Sequence, residues 1–241
     1  MAGTVFDRSR LSAQQWLYLI WLVAGEKRGV SAKSVQTALG LGSYKTAWLA
    51  LHKIQLAMTR TSPDLLNGVV EVDESYIGGI SVGGKRGRGA SGKAIIIIAV
   101  ERLGWGKKSK RVKLGRVRMR VIEDTKRKTL EDFVSDVVEP GAIVHTDGKR
   151  EYDQLDRLGY THVITNVKAS GDPAHVGMPA VHRVASLVKR WVLGTHQGGV
   201  SIRQLDFYLD EFVRHEALLD RVGCKTPPLG RRSGPVKLRA A

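Results

Sequence analysis

KAIIIIAVE (Lys93–Glu101) is the stretch that decides the fold. Its centre, Ile95-Ile96-Ile97-Ile98-Ala99-Val100, is continuously apolar and mostly β-branched, which suits a strand covered on both faces. A strand candidate precedes it, VVEVDESYI (Val69–Ile77), where alternating apolar residues carry the chain outward until Gly78 and Gly79 end the run. Another follows, VKLGRVRMRVI (Val112–Ile122). Its inward residues change parity near Gly115, from Val112 and Leu114 to Val117, Met119 and Val121. That slip predicts a β-bulge, and it leaves Arg116, Arg118 and Arg120 together on one face.

Downstream, helical and extended patterns alternate. Thr125–Val138 reads as an amphipathic helix with Leu130, Phe133, Val134 and Val137 inward. Ala142–His145 and His162–Thr165 read as short strands, with a helix over Tyr152–Leu158 between them. A helix over Val181–Leu193 is expected to end at Gly194, and Ser201 to cap a last one bearing Leu205, Tyr208, Leu209 and Phe212. This order predicts a mixed α/β fold, with an antiparallel meander followed by strands that alternate with helices.

Upstream, Ser12-x-x-Gln15 is a capping box that opens a first helix, a second covers Ser31–Leu39, and Ser43 caps a third. The Gly40-Leu41-Gly42 turn between the last two reads as a helix-turn-helix, with Lys45 and Lys53 on its outward face. A plain three-helix bundle is the competing reading. The expected organisation is a helical DNA-binding region over 1–60, a catalytic domain over 68–215 and a basic tail over 216–241.

The 241 residues are 42% hydrophobic, enough for a core. Lys and Arg number 39 against 23 Asp and Glu, a net charge of +16, with an isoelectric point near 10.2. Such an excess favours a polyanionic partner. It is also concentrated: thirteen basic residues lie between Lys85 and Arg120, with Glu101 the one acid among them. Cys224 is the only cysteine, which excludes a disulfide framework and a four-cysteine zinc ribbon. The apolar stretch Trp16–Ala24 falls short of the roughly 20 residues of a membrane span. No signal peptide is evident, so a cytoplasmic, nucleoid-associated protein is expected.

Two acids stand where rigid supports end: Asp73 in the first strand candidate and Asp147 in GAIVHTDGKREY (Gly141–Tyr152). Carboxylates at neighbouring strand ends supply the oxygen ligands a hard cation needs. Each has a plainer reading. Asp147-Gly148 is a common turn, and Glu71 and Glu74 beside Asp73 read as solvated charges. His182 alone is better read as a packing histidine, with His145 and His175 as further candidates; Trp191 reads as core, and His196 as a loop or DNA contact.

VEVDESYIGG (Val70–Gly79), VHTDGKREYDQL (Val144–Leu155), HRVASLVKRWVLGTHQGGVS (His182–Ser201) and LDFYLDEFV (Leu205–Val213) together resemble the successive signatures of ISXO-type insertion-sequence transposases. That is a group of the DDE superfamily with an RNase H-like core. The resemblance runs from about Gly3 to Val213, and GTHQG and YLDEF are its more specific segments. It implies metal-dependent cleavage at transposon ends, then attack of the freed 3′-hydroxyl on target DNA. It implies Asp73 and Asp147 as the first two catalytic and metal-binding carboxylates, with His182 as the third residue of the set. Two divalent cations, Mg²⁺ or Mn²⁺, would be held there, with Asp73 bridging and Asp147 and His182 each binding one. The family's lysine seven positions further along falls on Lys189, on the same helix face; with Arg190 it would grip the DNA backbone. Double-stranded DNA, at transposon ends and target, and a homo-oligomer assembled on it are the implied partners.

Two departures mark this chain. The zinc ribbon that precedes this region in relatives has no counterpart here, and VRHEALLDRVGCKTPPLG (Val213–Gly230) replaces an Arg/Asn-rich continuation. A truncated copy whose core folds yet recognises its ends poorly is the corresponding expectation. A DNA-binding regulator without catalysis, and an RNase H-like nuclease without strand transfer, are the competing functions.

Overall fold

The computed structural model describes residues 3–4, 6–26, 29–58, 64–78, 93–104, 112–165, 177–196 and 202–222, and their side chains except at 195–196, 202–203 and 215–222. Three helices come first: α1 (Ala13–Gly25), α2 (Ala32–Ala38) and α3 (Tyr44–Met58). The predicted capping box opens α1: Ser12 Oγ accepts from Gln15 N at 3.2 Å, and Gln15 Oε1 accepts from Ser12 N at 2.9 Å. Trp16, Leu19, Val35, Leu51 and Ile54 close an apolar core of their own between these helices.

β1 (Val69–Ile77), β2 (Ala94–Leu103) and β3 (Lys113–Ile122) form an antiparallel meander. α4 (Arg127–Val137) leads to β4 (Ile143–Thr146), two 3₁₀ turns (Arg150–Tyr152 and Leu155–Leu158) and β5 (Thr161–Ile164). The five strands are ordered β3-β2-β1-β4-β5, with β4 parallel to both β1 and β5. This mixed order is the RNase H-like topology. α5 (Pro179–His196) and α6 (Ile202–Val222) complete the described chain. Among the described residues, no helix is long and apolar enough to cross a membrane.

The apolar run of β2 is covered on both sides, as its composition requires. Ile96, Ile98 and Val100 meet α5 and α6 through Val184, Val188 and Leu209. Ile97 and Ala99 meet α4 through Leu130, Phe133 and Val134. The predicted bulge also occurs, since the register of β2 with β3 shifts between Val100 and Arg102. Gly115 is there for space: a Cβ would lie 2.7 Å from Cβ of Glu101 and 2.9 Å from its Oε2. That carboxylate accepts from Arg116 N and pairs with the Arg116 guanidinium.

Three boundaries differ from expectation. Tyr152–Leu158 is not one helix but parts of two 3₁₀ turns, pinned by burial of Tyr152 and Leu155. α5 runs through Gly194 to His196, because buried Val188, Trp191 and Val192 outweigh the roughly 1 kcal/mol penalty of a helical glycine. α6 continues to Val222, into the stretch expected to be a tail. Residues 223–241, together with Lys85, Arg86, Arg88, Lys107, Lys108, Lys110, Arg111, His175 and Gln197–Ser201, lie outside the described residues.

Candidate active site

β1 is the central strand, and β4 pairs with it in parallel register. The two acids read from the sequence therefore come from adjacent supports: Asp73 within β1, and Asp147 immediately after β4. At Gly148 the backbone turns with φ of 77°, and a Cβ would lie 2.7 Å from Ile164 Cγ2, so glycine suits the turn twice over. The turn aims Lys149 back between the acids. Its Nζ lies 3.9 Å from Asp73 Oδ1 and 3.4 Å from Asp147 Oδ2, and it pairs directly with Glu74. Tyr152 donates its hydroxyl to the other oxygen of Glu74.

These contacts set the charge balance. The Asp73 side chain is 18% exposed, and its carboxyl is raised to about 7. Burial is the main cause; Lys149 opposes it, while Glu74 and Asp147 add to it as like charges. Lys149 is itself pushed upward, because the three acids together outweigh its burial, so it stands as an ammonium.

α5 brings the third residue. His182 lies in its first turns, with Nδ1 4.0 Å from Asp73 Oδ2. The start of the helix is held by Glu71, whose Oε2 accepts from Ala180 N at 2.8 Å and Val181 N at 3.0 Å. Farther along, exposed Lys189 and Arg190 join Asp73 and His182 in lining an open groove of about 440 Å³. Asp73, Glu74, the His182 imidazole and two exposed basic side chains thus line one concave surface, with Asp147 beyond its lining on the far side of Lys149.

A family profile described as the ISXO2-like transposase domain matches residues 65–215, more than half of the chain. The chain belongs to the ISXO2-like transposase family. No curated protein matches it significantly. Among solved structures it is similar to a chain of the simian T-cell lymphotropic virus intasome in complex with PP2A regulatory subunit B56 gamma. That likeness has 12% identity and a TM-score of 0.35, covering 85% of this chain and 74% of the other. It is also similar to a chain of the Mos1 strand transfer complex, at 12% identity and a TM-score of 0.27, covering 91% and 80%. At such scores neither likeness bears on function.

Not every basic residue read from the sequence joins this transposase's groove. Arg118 and Arg120 oppose Ala99 and Ile97 across the sheet, so they project with those residues toward α4, while Asp73, opposite Ile98, projects toward α5. Arg116 pairs with Glu101, Arg120 with Asp136, and Arg118 donates to Asp64 O. Lys45 is exposed on α3, whereas Lys53 donates to Asp7 O at 2.7 Å. His145 and Trp191 are buried.

Four residues of the site escaped the sequence reading: Glu71, Glu74, Lys149 and Tyr152. Glu71 and Glu74 are not solvated, their side chains being 0% and 2% exposed. For Glu74 the available signal was parity, since it shares its face of β1 with the apolar Val70 and Val72. Among the described residues, no group of three His, Cys, Asp or Glu is arranged to hold a metal ion as the side chains stand. The donor chemistry nonetheless suits a hard cation: two carboxylates flank the position where the Lys149 ammonium already places positive charge, and an imidazole lies 4.0 Å from one of them.

Proposed function

We propose that this transposase-family member cuts DNA at the ends of a mobile element and joins the freed 3′ ends to target DNA. The observation that carries this reading is the meeting of Asp73 and Asp147 from adjacent parallel strands around one ammonium, beside the groove lined by His182, Lys189 and Arg190. Asp73, Asp147 and His182 would hold two divalent cations, Mg²⁺ or Mn²⁺. Bound there, the cations supply Lewis acidity to the attacking and leaving oxygens of a phosphodiester.

The protein's own groups do the rest. Asp73 and Asp147 serve as carboxylates, so Asp73 must lose the proton that burial favours. His182 serves as the neutral imidazole. Lys189 and Arg190 hold the DNA backbone in the groove by charge-assisted contacts. Cleavage breaks the P–O3′ bond by water attack, leaving a 3′-hydroxyl; joining is attack of that hydroxyl on a target phosphate, which releases a new 3′-hydroxyl. α2 and α3 serve as a DNA-docking helix pair through exposed Lys45, and Arg116, Arg118 and Arg120 would meet DNA only outside the groove. Handling two ends requires more than one copy, so a homo-oligomer on DNA is part of the reading, as is action at the nucleoid.

The test is incubation with Mn²⁺ and a duplex carrying the ends of its own element. Cleavage followed by joining supports transposition. Cleavage alone selects a nuclease, and salt-sensitive binding alone selects a regulator.

A further inference from the structure

Glu71 lies two residues before Asp73 and shares its face of β1, yet it is fully buried. Its Oε2 accepts from the backbone N–H groups of Ala180 and Val181, and its Oε1 accepts from Arg102 at 2.9 Å. The first N–H groups of a helix have no partner inside the helix, and the positive end of the helix dipole favours an anion. One carboxylate therefore ties the central strand to the opening turn of α5, 109 residues later in the chain. His182 follows Val181 directly, and Asp73 stands two residues along the strand on the other side of the tie.

We infer that Glu71 is a positioning residue, which fixes the start of α5 on β1 and so sets the spacing between Asp73 and His182. The inference deepens the functional reading above and rests on it for the purpose of that spacing, though not for the tie itself. A stabilising role alone fits poorly. A buried ion pair such as Glu71–Arg102 seldom outdoes well-packed apolar residues of similar volume, whereas two directed acceptor contacts fix the position of a helix. Lys189 and Arg190 ride on the same helix, so the tie also bears on the groove wall that they line.

Two variants of the full chain separate position from stability. Glu71→Met with Arg102→Met removes the acceptor and both charges while filling the space. Glu71→Gln keeps an oxygen for the two N–H groups. The first readout is hydrogen exchange at the Ala180 and Val181 amides, which needs no metal; the second is Mn²⁺ affinity, measured by the signal of free Mn²⁺. The double variant should melt close to wild type, yet exchange those two amides on the order of tenfold faster. It should also bind Mn²⁺ about tenfold more weakly, the usual loss when a group that orients a ligand is removed. Glu71→Gln should keep most of both properties. Unchanged exchange and affinity in the double variant, or a loss as deep in Glu71→Gln, would overturn the inference. A wild-type protein that binds no Mn²⁺ defeats the functional reading instead, and the amide exchange still decides the tie.

Discussion

Lys149 holds its ammonium 3.9 Å from Asp73, inside a group of acids that would otherwise repel one another. Burial raises the Asp73 carboxyl to about 7, and Lys149 is the charge that keeps it from rising further. A cation binds the carboxylate and not the acid, so Mn²⁺ affinity should climb with pH through about 7 and level off above it. Lys149→Met should move that midpoint upward. Stability has the opposite sign: an acid raised from 3.8 to about 7 favours the fold when protonated, and this contribution is lost as pH rises between those values. An Mn²⁺ affinity flat across neutral pH would remove Asp73 from the metal site.

Glu211 gives a second pH dependence, from outside the groove's lining. It is buried on α6, accepts from Gln55 of α3 at 2.6 Å, and is raised from 4.5 to about 7, chiefly by burial. The unfolded chain therefore releases this proton first. Stability from Glu211 should be complete below pH 4.5 and decline by about 3 kcal/mol as pH rises to about 7. Glu211→Gln should flatten that slope in urea titrations. A slope unchanged by the substitution would assign it to other groups.

The imidazole of His182 is a softer donor than the carboxylates beside it. Mn²⁺ should therefore support cleavage at least as well as Mg²⁺, and His182→Glu should shift the preference toward Mg²⁺. Rates compared at equal metal loading decide the point. Higher wild-type activity in Mg²⁺ would count against His182 as a ligand.

Groove position separates the basic residues. Lys189→Ala should lower the salt-dependence slope of DNA binding by about one, the loss of one phosphate contact. Arg116→Ala should leave that slope alone. Its cost should fall on stability, about 1 kcal/mol, because the guanidinium is partly exposed while its partner Glu101 is not. A slope change at Arg116 equal to that at Lys189 would place DNA on the α4 face.

Local patterning carried much of this fold. The β-branched run in Lys93–Glu101 suited a strand covered twice, and the parity change at Gly115 marked a real bulge. Ser12 and Gln15 announced the first helix by themselves. Long-range pairings left no such trace: the parallel pairing of β1 with β4, which brings Asp147 toward Asp73, depends on the whole sheet. Glu71 read as a solvated acid because its partners, Arg102 and the start of α5, are distant in sequence. Lys149 drew no reading of its own, because only the turn at Gly148 aims it back at the acids. At Gly194 the local signal pointed the wrong way, and packing around Trp191 and Val192 prevailed.

The most direct measurement is anomalous diffraction from crystals grown with Mn²⁺ and an element-end duplex. A shared site predicts manganese held by Asp73 and Asp147, the Lys149 ammonium displaced from between them, and no such peak in Asp73→Asn. Lys149 still lodged between the two acids, with no manganese beside either, would contradict it.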